Sequence, residues 1–129
     1  MTLTDKVRSQ GTHPTSISIH HQGGDEANLV YVLNNGTAVT PGNIAAFRLS
    51  GDGMLKHHIR LCRAFSGSNV SAAEVSFNAA GTVLIVTEKM TGLIDTYTVN
   101  SDGKASGPIM TPSRGSTPRL GFQSTASTM

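Results

Sequence analysis

The feature that most constrains this chain is an internal repeat. The stretch from Gly81 to Gly107, GTVLIVTEKMTGLIDTYTVNSDGKASG, has the same order of apolar runs and turns as the earlier stretch NLVYVLNNGTAVTPGNIAAFRLSGDGMLKHH. Ile44 and Asp52 stand 50 positions before Ile94 and Asp102, and the pairs Asp52-Gly53 and Asp102-Gly103 predict hairpin turns. A repeat of this length indicates that one supersecondary unit occurs more than once.

Each unit contains four segments with the character of β-strands. Alternating or β-branched apolar residues between Gly, Pro, Asn and Asp clusters are typical of strands. The 14 Gly and 5 Pro leave no window with a sustained helical period, so the chain is predicted to be all-β. The predicted strands are Pro14 to His20, Leu29 to Leu33, Asn43 to Ser50 and Met54 to Cys62, then Ala73 to Phe77, Thr82 to Glu88, Leu93 to Asn100 and a strand near Lys104 to Met110.

These segments predict about two and a half copies of a four-stranded antiparallel module. We assign complete modules to residues 12–65 and 66–113, the last strand of a preceding module to residues 1–11 and the start of a further module to residues 114–129. Four-stranded units at this spacing are typical of the blades of a β-propeller, which closes with about 4 to 8 blades. The chain is therefore predicted to be a propeller fragment, and its open blade edges are expected to favour self-association.

Composition excludes several classes of function. The formal net charge is +2, the basic residues are scattered and Trp is absent, which argues against a nucleic-acid surface. No run approaches the roughly 18 apolar residues of a membrane span, and the N-terminus lacks the pattern of a signal peptide, so the sequence gives no compartment.

Metal and cofactor sites are not predicted. Cys62 is the single cysteine, which excludes an internal disulfide and a thiolate zinc cluster within the chain. The histidine pairs at residues 20–21 and 57–58 are adjacent residues that point to opposite sides of a strand, so they do not suggest a metal site.

Three stretches, GTHPTSISI, SAAEVSFNAAGTVLIVTEK and STPRLGF, resemble the lactonase-type seven-bladed β-propellers, a family that includes 6-phosphogluconolactonase and the fungal carboxymuconate cyclase. The resemblance runs from about Thr4 to Phe122. It implies metal-independent hydrolysis or cyclisation of a sugar or muconate lactone. It also implies that His, Arg and Glu side chains line one mouth of the channel, in motifs of the form H-P-H, G-P-R-H and V-x-N-E.

This chain keeps the family motifs only in part. His13 and the proline after it match the first motif, but Thr15 replaces the second histidine. Ala72, Ala73 and Glu74 stand where Pro-Arg-His would be, and Glu74 is expected to mark the solvent side of its strand. Glu88, in VTEK, keeps the acidic position that the resemblance implies.

Lactone chemistry needs a group that carries protons and a cation that stabilises the developing oxyanion. We predict His13 and Glu88 as the proton carriers and Lys89 or Arg63 as the cation. Adjacent strand residues point to opposite faces, so Glu88 and Lys89 cannot both face the channel without a bulge.

We therefore expect a fragment of a lactonase-like propeller that is inactive alone and that takes a small-molecule lactone or sugar acid if it is active. The alternatives are a non-catalytic binding or scaffolding propeller, because a fold does not fix an activity, and a truncated gene product. An enzyme would bring His13 and Glu88 together with a cation at the channel mouth, whereas a scaffold would leave them apart.

Overall fold

The structure, a computed structural model, describes residues 2–21, 28–67 and 69–113, without the side chains of residues 56–63. It contains two four-stranded antiparallel sheets in which each strand pairs with the next, and the described part of the chain has no helix long and apolar enough to cross a membrane. The strands are β1 (Pro14–His20), β2 (Asn28–Asn34), β3 (Asn43–Leu49), β4 (Leu55–Ala64), β5 (Ala72–Phe77), β6 (Val83–Glu88), β7 (Leu93–Val99) and β8 (Ala105–Pro112).

The all-β prediction is confirmed, and each of the eight strands predicted in the two complete modules begins and ends within two residues of the observed one. We call β1 to β4 blade 1 and β5 to β8 blade 2, because two meandering sheets of this kind are consistent with neighbouring blades of a propeller. The blades lie within the ranges 12–65 and 66–113 that the repeat indicates. Residues 114–129, where a further module is predicted, lie outside the described residues.

The two blades repeat each other in strand register as well as in order. Ile17 of β1 pairs with Val32 of β2, and Val75 of β5, 58 positions after Ile17, pairs with Val86 of β6. The inner strands therefore occupy equivalent positions, and a contact made by one blade can be compared directly with its counterpart in the other.

The hairpin turns before β4 and β8 are also equivalent. Gly53 has a φ of 85° and its N–H donates to the Ser50 carbonyl at 3.0 Å; Gly103 has a φ of 84° and its N–H donates to the Asn100 carbonyl at 2.9 Å. Glycine is favoured here because other residues are strained at positive φ. The predicted Asp-Gly hairpins are confirmed.

An apolar core joins the two blades. Two buried tyrosines cross the interface: the Tyr31 hydroxyl donates to the Gly103 carbonyl at 2.7 Å, and the Tyr97 hydroxyl donates to the Ala64 carbonyl at 2.8 Å. Each ring is thus buried while its hydroxyl remains hydrogen-bonded. The core includes Leu29, Tyr31, Leu33, Ile44 and Ala46 of blade 1 and Val75, Phe77, Leu84, Val86, Tyr97, Val99 and Ala105 of blade 2.

Serine hydroxyls connect the inner strands of the two blades. The backbone N–H of Val75 donates to Ser16 Oγ at 3.2 Å, and that of Phe77 donates to Ser18 Oγ at 3.1 Å. These amides belong to the inner edge strand of blade 2, where a neighbouring strand is not available to accept them. The hydroxyls of blade 1 therefore provide the hydrogen-bond acceptors that the edge of blade 2 needs.

The strand predicted at residues 1–11 is absent, because residues 2–9 form no strand. Side chains hold this segment instead: the Thr4 hydroxyl donates to the Gly53 carbonyl at 3.1 Å, and Asp5 accepts the N–H of Leu55 at 2.8 Å. The repeat predicts the last strand of a preceding module here, but the strands with which it would pair are not part of the described sheets.

Gly81 makes a close contact with the inner strand of blade 1. Its φ is 71°, and an added Cβ atom would lie 2.2 Å from Cδ2 of His20. The His20 ring in turn packs on Phe77, with 5.6 Å between ring centroids. The turn before β6 therefore favours glycine for two reasons, its backbone conformation and the space that the imidazole occupies.

We expect Gly81→Ala to lower the free energy of unfolding by about 1–3 kcal/mol, because alanine is strained at this φ and displaces the His20 ring. Gly51→Ala is the matched control, since nothing lies within 4 Å of a Cβ added at Gly51. Urea unfolding of both variants measures the difference. Equal stability of the two would show that the contact between Gly81 and His20 does not form.

Candidate functional site

A cleft of about 370 Å³ opens between the two blades, at the end where the inner strands begin. Five of its seven lining residues are polar or charged. The lining residues are Thr15 and Asn35 of blade 1 and Ser71, Ala72, Ala73, Glu74 and Lys89 of blade 2.

The backbone at the cleft has the same unusual conformation in both blades. His13 and Ser71, each directly before an inner strand, both have a φ of 55°. The strand register then shifts across the residue at Thr15 and across the residue at Ala73. Such bulges redirect side chains and occur often beside functional sites. The two blades therefore share this backbone conformation at the start of the inner strand but carry different side chains there.

Glu88 does not face the cleft but lies fully buried between the blades. Its carboxylate accepts the backbone N–H of Ser66 at 2.9 Å and the Ser66 hydroxyl at 2.5 Å. The Thr91 hydroxyl also donates to it, at 2.6 Å. Ser66 belongs to the linker between β4 and β5, so Glu88 fastens the chain that enters blade 2.

Blade 1 contains the counterpart of this arrangement. Asn34 is also fully buried, and both Asn34 and Glu88 lie opposite the first residue of the inner strand of their own blade. The Asn34 amide donates to the carbonyl of Ser9 at 2.9 Å, and Ser9 stands 57 positions before Ser66. In both blades, the last residue of the second strand therefore binds the chain segment that leads into the blade.

Asp95 is a second fully buried carboxyl group, and it faces Glu88. Burial, the hydrogen bond with Glu88 and the charge of Glu88 raise the pKa of Asp95 to about 8. Burial also acts to raise the pKa of Glu88, but hydrogen bonds from Asp95, Ser66 and Thr91 outweigh it and hold that pKa below its usual value. The proton therefore stays on Asp95, which can donate it in a hydrogen bond to ionised Glu88.

The remaining predicted site residues occupy separate places. His13 is exposed, and its Nδ1 lies 2.9 Å from the Gly36 carbonyl oxygen. Lys89 is exposed and lines the cleft. The side chain of Arg63 lies outside the described residues. The described part of the chain holds no group of three or more His, Cys, Asp or Glu side chains placed to bind a metal ion.

Sequence reasoning missed Glu74 as a cleft residue. It is half-buried on the less buried side of β5, opposite Val75 and Phe77, as the alternation predicts, and it also lines the cleft next to the bulge at Ala73. One signal could have identified it: Glu74 stands at the last position of the G-P-R-H motif that the resemblance implies. The bulge at Ala73 is not apparent from the pattern of residues in the sequence.

We expect Glu88→Gln to lower the free energy of unfolding by about 2 kcal/mol, because it weakens charge-assisted hydrogen bonds that are buried. Glu74→Gln is the matched control at the cleft and should leave stability unchanged. Urea unfolding of both variants, followed by far-UV circular dichroism, tests this. Unchanged stability of Glu88→Gln, or an equal loss in both variants, would contradict the role given to Glu88.

The protonated Asp95 makes stability depend on pH. Between its ordinary pKa of 3.8 and about 8, the folded state keeps a proton that the unfolded state releases. The free energy of unfolding should therefore fall as pH rises through this window, by up to about 1.4 kcal/mol per pH unit, and level off above it. Asp95→Asn should remove this slope, since an amide does not titrate. Unfolding curves with the same pH slope in both proteins would contradict the assignment.

No protein-family model and no curated protein match this chain. Among solved structures, the chain is similar to a protein from Lactobacillus plantarum that a structural genomics consortium crystallised, with a TM-score of 0.58 and 18% sequence identity. The match covers 83% of this chain and 28% of that one, so the chain spans little more than a quarter of the length of the protein it matches. At this identity the likeness shows the fold alone, and it agrees with the all-β architecture of the two blades.

Proposed function

We propose that the chain is a segment of a lactonase-like β-propeller and that its cleft binds a small polar molecule of the lactone or sugar-acid class. One observation carries the proposal: the cleft lies at the positions where the resemblance implies the H-P-H and G-P-R-H motifs, here Thr15 and Ala73 with Glu74. For the parent propeller we propose metal-independent hydrolysis or cyclisation of a lactone.

The lining of the cleft suits binding better than catalysis. Lys89 offers an ammonium group to a ligand carboxylate, and Glu74 accepts hydrogen bonds from ligand hydroxyls. Thr15 and Ser71 add hydroxyls that can donate or accept. Glu88 is fully engaged by the linker and by Asp95, so it is not available to take a proton from a ligand in the cleft. We propose that this chain alone binds without turnover.

A purely binding or scaffolding propeller is the second candidate. It is favoured by the separation of the two predicted proton carriers: Glu88 is buried at the linker, while His13 is exposed and held against the Gly36 carbonyl. Under this alternative the whole propeller, and not only this segment, would lack lactone chemistry.

Titration with gluconate, followed by NMR, tests binding. We expect the backbone amide resonances of Ser71, Glu74 and Lys89 to shift as gluconate binds. Lys89→Met should weaken binding about fivefold, which corresponds to the loss of about 1 kcal/mol from one exposed charge contact. Lys104→Met, which removes an exposed charge at the turn before β8, is the control and should not change the affinity.

The same samples test catalysis with glucono-1,5-lactone. We expect the lactone to open at its uncatalysed rate. Catalysed opening that Glu88→Gln abolishes while the fold is retained would show that Glu88 is catalytic after all. Gluconate binding that is insensitive to Lys89→Met would show that the cleft is not the binding site.

A further inference from the structure

The face of blade 1 that points away from blade 2 carries exposed apolar residues on its inner strand. Ile17 and Ile19 of the inner strand are 60% and 42% exposed. They pair in register with Val32 and Val30, which belong to a small apolar cluster separate from the core between the blades. This cluster consists of Val30, Ala45 and Phe47, with Val32, Leu49 and Leu55 packed against it.

The equivalent face of blade 2 is covered. Val75 and Phe77 stand 58 positions after Ile17 and Ile19 and are only 3% and 6% exposed. They lie in the core between the blades, where blade 1 packs against them. The difference in exposure between the two faces therefore comes from a neighbouring blade, which is present for blade 2 and absent from the described structure for blade 1.

The contact that covers blade 2 shows what chemistry the neighbour must have. Ser16 and Ser18 of the inner strand of blade 1 accept the N–H groups of Val75 and Phe77 at 3.2 and 3.1 Å. Because β1 and β5 pair with their neighbours in the same register, the N–H groups of Ile17 and Ile19 occupy the equivalent edge. They require two acceptors on a neighbouring inner strand, spaced two residues apart.

We propose that this face is a docking surface for a further propeller blade whose inner strand presents two hydroxyl residues at alternate positions and whose following strands are apolar. Blade 1 itself has this chemistry on its other face, with Ser16 and Ser18 beside Tyr31 and Leu33. The inference goes beyond the ligand proposed for the cleft, and a failure of gluconate to bind would not affect it.

A second copy of this chain is the competing occupant, and it fits less well. The face that a second copy could offer is the far face of blade 2, where Glu74 and Ser76 stand 58 positions after Ser16 and Ser18. Docking there would place the Glu74 carboxylate against an apolar face and take it from water, which is unfavourable without a partner charge. The apolar face of blade 1 thus favours a neighbour with hydroxyls at both positions.

A tandem variant tests the proposal by repeating residues 9–65 ahead of Ser9 in the full chain, so that Ser9 and the segment after it lead into both copies of blade 1. Ile17→Val and Ile19→Val in the added copy alone make the two copies distinguishable by NMR. We expect the amides of the original Ile17 and Ile19 to exchange with solvent at least ten times more slowly than in the unmodified chain. The control tandem carries Ser16→Ala and Ser18→Ala in its added copy. It should lose this protection while it keeps the same oligomeric state and fold.

Unchanged exchange of the original Ile17 and Ile19 in a folded tandem would overturn the proposal. It would also be overturned if the unmodified chain is a dimer in which these amides are already protected, because the occupant would then be a second copy. Should the tandem not fold, a peptide of residues 12–21 can supply the hydroxyls. The proposal requires this peptide to shift the Ile17 and Ile19 amide resonances of the full chain. The proposal is overturned if a peptide with both serines replaced by alanine shifts these resonances equally. It is also overturned if neither peptide shifts them.

Discussion

The packing of one sheet against the other is the interaction on which the rest of this structure depends. Each sheet has an apolar face that it cannot shield by itself, and each large side chain left in water would forgo about 1.5–3 kcal/mol. Polar contacts complete the interface without interrupting it: two tyrosine hydroxyls reach carbonyls of the opposite blade, and two serine hydroxyls of β1 accept the edge amides of β5. The interface also sets the position of the cleft, because residues of both blades line it.

The same interface explains why an acidic residue is buried at its rim. Glu88 ends β6 where the linker enters blade 2, and the N–H and hydroxyl of Ser66 satisfy its charge. Asp95, facing it, keeps its proton and so avoids a second buried charge. In blade 1 the neutral Asn34 binds the corresponding segment through its amide. Binding the segment that leads into a blade therefore does not require an acid at this position. In blade 2 the residue is a carboxylate, and hydrogen bonds stabilise its buried charge.

Much of the fold could be predicted from the sequence, since the strands are short, regular and bounded by clear turns. The repeat spacing and the Asp-Gly turns at Gly53 and Gly103 are visible in the sequence, and together they predict the two sheets. The strand predicted at the N-terminus does not form in residues 2–9, because a strand needs a neighbour to pair with and the position of a segment in the repeat does not supply one. The site was less predictable: the bulges at Thr15 and Ala73 decide which side chains enter the cleft, and they arise from backbone geometry. The burial of Glu88, which is predicted as a proton carrier, could not be foreseen, because the sequence does not show that the linker returns to it.

Amide hydrogen exchange on the unmodified chain would test whether the two sheets pack as neighbouring blades. Val75 and Phe77 lie on an edge strand, so their N–H groups can be protected only if the serine hydroxyls of the other sheet accept them. We expect these two amides to exchange slowly and the equivalent amides of Ile17 and Ile19 to exchange quickly. Fast exchange at all four positions would mean that the sheets do not dock in this way, and the cleft and the linker contact at Glu88 would then lose their basis.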